Sequence, residues 1–379
     1  MQLTPQKLQK SGRIERDDLA RLTPDDAQKG LGAVSNPTGR FEAYNSEDFD
    51  DGWDHDEDDL QKAPDLNWHR EIARTVITRN QSPDIHFDRS INPYRGCEHG
   101  CIYCFARPSH NYLGYSAGRD FERELFFKAN AADQLRKELS SRKYEPAPIA
   151  LGVNTDAYQP EERRLRLSRS ILEVLSEFNH PVTIVTKSGL IRRDLDLLAP
   201  MAEKGLVSVA ISLTTLNRDT ARKMEPRAAS PKLRLQTIRT LSDAGIPVTA
   251  LTAPIIPAIN DHEIEALIEA AADHGARSIS YVLLRLPYDL KDIFQEWLKA
   301  HYPDRAVRVI NALRAMRGGQ DYDADWFRRG RGIGPEARLI GNRVSKAIAR
   351  QGLTIKRPEL RTDLFSKPQD RTNQMAFDL

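Results

Sequence analysis

Cys97-Glu98-His99-Gly100-Cys101-Ile102-Tyr103-Cys104 contains every cysteine of this 379-residue chain, at the spacing C-x3-C-x2-C. Three is an odd number, so these residues cannot form a closed set of disulfide bonds. Three thiols within eight residues are suited to binding a metal instead. Three thiolates leave one position of a four-ligand centre unfilled. The stretch therefore predicts a metal site that is open to a further ligand.

Two kinds of metal centre satisfy this spacing. A zinc ion would take a fourth protein ligand, which His99, His86 or His110 could supply. An iron–sulfur cluster is held by cysteine thiolates, and four of them would saturate a [4Fe–4S] cube. Three would leave one iron open to an exogenous ligand. Zinc would suit a non-catalytic nucleic-acid-binding protein, whereas an open iron would suit a reactive site.

Short β-rich runs alternate with helical stretches from about residue 75 onward. The candidate strands are Ile149–Val153, Val182–Thr186, Val207–Leu213, Pro247–Ile256 and Ser278–Leu284, and the candidate helices are 131–140, 165–178, 193–203, 232–243 and 262–274. The strands are almost continuously apolar, as is typical of parallel strands covered on both faces. Repeated β–α units favour a parallel barrel or an open α/β sheet. With the strand that leads into Cys97 there are six units, so the sequence predicts a partial (βα)6 barrel of the TIM type.

Polar residues follow the candidate strands at the edge where such barrels carry their chemistry. The cysteine stretch follows the first strand, so it belongs to the same edge. The others are Asn154, Thr155, Asp156, Lys187, Ser188, Ser212, Thr214, Thr215 and Arg285. We expect these side chains to converge on one site.

Composition divides the chain into four segments: a polar arm (1–65), the core barrel (75–290), a basic, mostly helical extension (291–360) and a tail (361–379). The arm is predicted to be disordered or draped over the body, and its stretch 29–37 has the turn chemistry to dock. Residues 46–59 carry nine acidic side chains and no lysine or arginine, whereas residues 60–379 carry a net charge of +10. Such asymmetry suits a polyanionic substrate or an acidic arm on a basic face; a solvated surface with an acidic linker is the alternative.

The carboxyl-terminal extension contains thirteen Lys or Arg against five Asp or Glu over residues 304–357. Tyr322, Trp326 and Phe327 lie among them, and Phe327–Gly332 has the composition of a flexible basic loop. Basic groups mixed with aromatic rings suit a nucleic-acid partner. The alternative is a helical cap with an ordinary basic surface.

No apolar run has the length of a membrane span. The amino terminus lacks the basic-then-apolar pattern of a signal peptide. Since clustered thiols need reducing conditions, the sequence predicts a cytoplasmic protein.

The cysteine motif, with an aromatic residue before its last cysteine, resembles the signature of the radical S-adenosylmethionine (SAM) superfamily. Further stretches resemble the spore photoproduct lyase-like group, often labelled "DNA repair photolyase", and a bacterial branch of it with no established substrate. These stretches are Ser90–Cys104, Asn154–Glu161, Thr186–Ser188, Glu225–Arg227 and Ala253–Pro257. The resemblance covers roughly residues 75–350.

This resemblance implies that Cys97, Cys101 and Cys104 hold a [4Fe–4S] cluster whose fourth iron is chelated by SAM. An electron from a flavodoxin- or ferredoxin-type donor would cleave SAM to methionine and a 5′-deoxyadenosyl radical, which abstracts a substrate hydrogen. By the same resemblance Tyr103 would lie against the adenine.

The resemblance also implies roles for residues at the strand ends. Asn154 and Asp156 are candidates to meet the SAM amine, Lys187 its carboxylate and Ser212 its ribose. Arg227 would reach SAM or substrate. Arg285 would bind an anionic substrate or a carboxylate of the barrel.

One feature departs from the lyase pattern. Spore photoproduct lyase needs an additional cysteine to return a hydrogen atom to the product radical, and this chain has no fourth cysteine. Either a tyrosine such as Tyr94, Tyr112, Tyr115 or Tyr158 replaces it, or SAM is regenerated differently, or the reaction is not thymine-dimer repair. The resemblance and the charge together predict a radical SAM enzyme that acts on a nucleic acid or another polyanion, with the substrate identity open and a small molecule or a peptide as the alternative.

Overall fold

The computed structural model describes residues 30–37, 39–41 and 66–368. The strands are β1 (Asn67–Glu71), β2 (Ile77–Arg79), β3 (Arg89–Ile91), β4 (Tyr94–Arg95), β5 (Glu124–Lys128), β6 (Ile149–Leu151), β7 (Val182–Thr186), β8 (Val207–Ser212), β9 (Val248–Ile255) and β10 (Ser278–Leu283). The α-helices are α1 (Asp120–Arg123), α2 (Ala131–Ser140), α3 (Glu162–Leu165), α4 (Leu167–Glu177), α5 (Leu195–Glu203), α6 (Arg218–Met224), α7 (Pro231–Asp243), α8 (Ile264–Asp273), α9 (Leu290–His301), α10 (Pro303–Ala315) and α11 (Gly334–Arg350).

The main sheet has the strand order β10-β9-β8-β7-β6-β3-β2. The six strands from β3 to β10 in this sheet run parallel, and β2 pairs antiparallel with β3 at one edge. Because β10 and β2 end the order, the sheet is an open, partial barrel. The predicted six-unit α/β architecture is confirmed.

Apolar burial explains why these runs form the barrel. All six residues of β8 are buried, as expected for a central strand covered on both faces. Helix α4 covers the sheet with Ile171, Leu172 and Leu175, which recur at helical spacing and are fully buried. The helix is shorter than the predicted 165–178, because Arg166 has a φ of 51° and separates it from α3.

A second sheet of three strands, in the order β1-β5-β4, was not predicted from the sequence. Its strands are short, and β1 is only partly buried, so no apolar run marks it. Strand β1 precedes β3 in the chain, whereas β4 and β5 belong to the long connection between β3 and β6, together with the 3-10 helix Arg107–Leu113, α1 and α2. This connection carries the three cysteines.

The carboxyl-terminal segment runs along the amino ends of the barrel strands. Thr354 pairs with Ser278 at the start of β10. The Arg361 N–H donates to Gly205 O at 3.0 Å. The tail residues 361–368 are therefore docked on the face opposite the cysteines.

Residues 30–37 lie against the cysteine loop, and Leu31, Ala33 and Val34 are buried there. The docking expected for stretch 29–37 is confirmed for these residues; the acidic block 46–59 and the rest of the predicted arm lie outside the described residues. None of the helices in the described ranges is both long and apolar enough to cross a membrane.

Candidate functional site: a thiol-lined cavity at the mouth of the barrel

A cavity of about 260 Å³ opens at the carboxyl ends of the parallel strands. Eleven of the side chains considered from the sequence as ligands or strand-end polar groups line it: Cys97, His99, Cys101, Tyr103, Cys104, Asn154, Thr155, Asp156, Lys187, Ser212 and Arg285. They come from the loop after β3 and from the ends of β6, β7, β8 and β10. The topology thus brings together side chains that are up to 188 positions apart in the sequence.

The cysteine loop is fixed by backbone hydrogen bonds. The Cys97 N–H donates to Phe121 O at 2.9 Å, and the Ile102 N–H donates to Met224 O at 3.0 Å. Gly100 has a φ of +63°, a conformation that glycine adopts without a steric penalty. Cys97 and Cys101 are buried and Cys104 is partly exposed. Burial raises the pKa of Cys97, and it raises that of Cys101 to about 12.

Residues 31–35, which we call the strap, cross over this loop; the sequence predicted that they dock, but not where. The N–H groups of Gly32 and Ala33 donate to the two carboxylate oxygens of Glu122 at 2.8 and 2.9 Å. Arg107 donates to the same carboxylate, and its guanidinium also donates to the Gly100 and Cys101 carbonyls. The buried Arg107–Glu122 pair therefore joins the strap to the cysteine loop.

A buried carboxylate anchors Tyr103. Glu225 accepts hydrogen bonds from the Tyr103 hydroxyl and from Arg234, and from Thr214 Oγ1 at 2.8 Å. Burial alone would raise the pKa of Glu225, but Arg234 and Lys187 lower it to about 2. The carboxylate is therefore ionised, and it holds the Tyr103 ring at the cavity wall.

Lys187 extends from the end of β7 into the cavity. Its Nζ lies 5.8 Å from the Tyr103 ring centroid and makes no hydrogen bond to a described residue. Burial opposes the charge of Lys187, but Cys101, Glu225 and Asp156 together raise its pKa. The ammonium group is thus charged and available to a ligand.

Asp156 is the polar centre of the strand ends. Its Oδ1 accepts from Thr186 Oγ1 at 2.6 Å and from the Tyr158 N–H at 2.9 Å, and its Oδ2 accepts from the Lys187 N–H at 2.8 Å. His99 Nδ1 lies 3.3 Å from Oδ2. Burial alone would raise the pKa of Asp156, but His99, Lys187 and Thr186 lower it. The carboxylate is occupied in tying β6 to β7.

Asn154 and Ser212 present free polar groups instead. The backbone N–H of Asn154 donates to Asn92 Oδ1 at 2.9 Å, but its side-chain amide makes no hydrogen bond within the described residues. The hydroxyl of Ser212 likewise has no described partner, although its carbonyl accepts from Arg234. Both side chains can therefore hydrogen-bond a ligand in the cavity.

Six of the residues expected at the site do not line the cavity: Ser188, Thr214, Thr215, Arg227, Tyr94 and Tyr158. Arg227 donates to Glu98 Oε2 at 2.7 Å. The hydroxyl of Tyr94 donates to Glu162, and that of Tyr158 donates to Asp194 Oδ2 at 3.1 Å. Both tyrosines are fully buried. The structure therefore places these two tyrosines in the core and not at the cavity wall.

The other candidate ligands and hydrogen donors are also remote from the cavity. His110 Nε2 lies 2.8 Å from Glu124 O, and His86 contacts Arg357. Tyr112 packs against Phe41 on the surface, and Tyr115 lies against His110. Of the candidate zinc ligands, only His99 borders the cavity.

The donor set of the three cysteines is compatible with an iron–sulfur cluster. In the described part of the chain, no group of three His, Cys, Asp or Glu side chains is arranged to hold one metal ion. A zinc ion would need its sulfur ligands about 2.3 Å from one centre. An iron–sulfur cube takes each thiolate on a different iron, so the thiols stand farther apart. Three thiols on one cavity wall fit that donor set.

Comparison with known proteins agrees with this geometry. A family model described as "Radical SAM superfamily" matches residues 91–271. An uncharacterized protein of Mycobacterium tuberculosis is 32% identical over 294 residues, which cover 76% of this chain and 82% of the relative. An uncharacterized protein of Methanocaldococcus jannaschii is 29% identical over 228 residues, 60% of this chain and 81% of the relative.

Among solved structures, spore photoproduct lyase complexed with dinucleoside spore photoproduct superimposes with a TM-score of 0.54 at 16% identity. The match covers 76% of this chain and 81% of the lyase, so the two proteins share a fold. The resemblance drawn from the cysteine motif is confirmed. This chain belongs to the radical SAM superfamily and is an enzyme with a spore photoproduct lyase-like fold.

Proposed function

We propose that the chain binds a [4Fe–4S] cluster through Cys97, Cys101 and Cys104 and cleaves SAM reductively beside it. When bound, the cluster and SAM would supply a 5′-deoxyadenosyl radical that takes a hydrogen atom from the substrate. One observation carries the proposal: three thiols share a cavity wall with unpaired polar groups of the kinds that SAM requires.

The roles of the protein side chains follow from which of them are free. The Asn154 amide suits the SAM amine better than Asp156 does, because both oxygens of Asp156 already accept hydrogen bonds from the protein. The charged Lys187 ammonium suits the SAM carboxylate, and the Ser212 hydroxyl suits the ribose. Tyr103, held by Glu225, offers a ring face of fixed orientation for the adenine.

The nucleic-acid interface expected of the basic loop has little support. Arg328 pairs with Asp323 and Asp325, and Arg329 Nε lies 2.6 Å from Asp84 Oδ2. Arg331 stacks on Tyr281 at 3.9 Å. Because carboxylates neutralise Arg328 and Arg329, these two arginines are poor sites for phosphate. A small anionic molecule is therefore the substrate class that we favour over nucleic acid.

Reducing surroundings are required by the thiol ligands, so we propose the cytoplasm as the compartment and a flavodoxin- or ferredoxin-type protein as the electron donor. A reduced electron carrier would approach the exposed side of Cys104, the least buried of the three cysteines.

Anaerobic reconstitution tests the proposal. We expect about four irons and four sulfides per chain, and formation of 5′-deoxyadenosine from SAM on reduction. Stoichiometric zinc without SAM cleavage would refute it.

A pair of variants tests the SAM contacts. Ser212→Ala should weaken SAM binding about tenfold. Ser208→Ala, the same change at the amino end of β8, should leave binding unchanged. Tracing deuterium from candidate substrates into 5′-deoxyadenosine would identify the substrate.

A further inference from the structure

Arg285 is a cation at the cavity without a carboxylate partner. It follows β10, between the buried Leu284 and Leu286, and it lines the cavity. Its nearest polar contact is the Tyr322 hydroxyl, 3.4 Å from Nη2, and its buried Nε has no hydrogen-bond partner. No described Asp or Glu forms an ion pair with it. A buried guanidinium N–H without an acceptor is costly, so the site is one that a ligand oxygen would complete.

The surroundings of Arg285 add positive charge. Arg317 is buried, and its guanidinium donates to the carbonyls of Leu284 and Arg328. Burial lowers the pKa of Arg317, Asp323 opposes that effect, and the positive charge of Arg285 adds to it. Arg317 therefore adds a second positive charge near Arg285, and Asp323 is a described carboxylate that interacts with Arg317.

Arg285 is separated from the side chains that we assign to SAM. Asn154, Lys187 and Ser212 follow the adjacent strands β6, β7 and β8, whereas Arg285 follows β10. Strand β9 lies between, and its cavity residues are apolar: Leu251, Ala253 and Pro254. Two strand spacings correspond to about 10 Å. The anion that Arg285 binds is therefore distinct from the SAM carboxylate, which Lys187 can take.

Phe105 supplies a flat apolar surface at the same place. It directly follows the last cysteine, lines the cavity and is 48% exposed. The Arg285 guanidinium carbon lies 5.4 Å from its ring centroid. A guanidinium beside an open aromatic ring suits a ligand with an anionic group next to a planar one.

From this geometry, and building on the proposed function, we propose that the substrate is a small anionic molecule whose phosphate or carboxylate is bound by Arg285 while its planar part lies on Phe105. The anchor positions the substrate beside the cluster loop and opposite the SAM side of the cavity. Arg285 is thus a substrate-binding residue.

Matched ligand pairs test this proposal in the reconstituted, SAM-loaded protein. The probes are thymidine 5′-monophosphate against thymidine, and N-benzoylglycine against its amide; each pair keeps the planar group and changes the charge. We expect at least one anionic member to bind 10- to 100-fold more tightly than its neutral partner by calorimetry. Tighter binding of the anion in the first pair indicates that Arg285 binds a phosphate, and tighter binding of the anion in the second pair indicates that it binds a carboxylate.

Two variants locate the effect. Arg285→Gln should abolish the preference for the anion without changing the affinity for SAM. Arg277→Gln, the same change at the exposed amino end of β10, should preserve the preference. The proposal would be overturned if the charged and neutral members of both pairs bound equally, or if neither bound. It would also be overturned if the Arg285→Gln variant kept the preference for the anion, or lost affinity for SAM instead. The readout is binding, so it is separate from SAM cleavage, whose failure alone would refute only the proposed function.

Discussion

Gly32 is the point at which the strap most closely approaches the cysteine loop, and Gly32→Ala tests whether the strap holds that loop. A Cβ added there would lie 1.8 Å from the Gly100 carbonyl oxygen, a backbone atom that cannot rotate away. Restoring a 3.0 Å contact requires a shift of more than 1 Å. The hydrogen bond from Gly32 N–H to Glu122, now 2.8 Å, would then be broken.

The magnitude follows from the charge of the acceptor. A hydrogen bond to a charged group contributes about 1.5–3 kcal/mol. We therefore expect Gly32→Ala to lower the free energy of unfolding by about 2–3 kcal/mol, and the Tm by about 3–5 °C. The cysteine loop would be held less firmly through Arg107, so the reconstituted protein should also lose iron faster.

Denaturant titration and the rate of iron release to a chelator measure the two effects. Gly330→Ala is the control, because a Cβ there would meet its nearest atom at 3.7 Å; its effect should be under about 0.5 kcal/mol. A Gly32→Ala protein that matches the wild type in both stability and iron retention would show that the strap does not hold the loop.

Two further predictions concern buried ionisable groups. Glu225→Gln leaves the Arg234 guanidinium without its anion and should destabilise the fold by about 3 kcal/mol in denaturant titrations; a loss under 1 kcal/mol would contradict the anchoring role of this pair. Burial lowers the pKa of His180 to about 4. Between about pH 6.5 and 4 the unfolded chain therefore binds more protons than the folded one. The free energy of unfolding consequently decreases as the pH falls through this window. Between pH 7 and 5 the wild type should lose about 2 kcal/mol more than His180→Phe, and parallel pH profiles would contradict the assignment.

The fold was predictable because its signals are local. Parallel barrel strands are buried on both faces, so runs such as 207–212 are continuously apolar and stand out from the sequence. The three cysteines mark their own site through spacing. The small sheet β1-β5-β4 gives no such signal, because its short strands are only partly covered.

The groups that hold the site together were not predictable, because their contacts are with residues far away in the sequence. Glu122 meets the strap 90 residues away, and nothing near it in the sequence indicates that its carboxylate is buried. Glu225 forms part of the noted Glu-Pro-Arg triplet, yet it was Arg227 that was assigned a ligand role. Arg227 pairs with Glu98, whereas Glu225 fixes Tyr103. Their roles depend on long-range contacts that only the folded chain defines.

The polar residues at the strand ends divide into two groups that sequence position alone does not separate. Asp156 and Asn154 are two residues apart, and both are suited to an ammonium group. The folded chain occupies both oxygens of Asp156 with protein donors but leaves the Asn154 amide free. A ligand that engaged Asp156 would compete with hydrogen bonds between β6 and β7, whereas one that engages Asn154, Lys187 or Arg285 breaks no hydrogen bond between described strands. Ligand binding in this cavity should therefore depend most on the polar groups that the fold has left without partners.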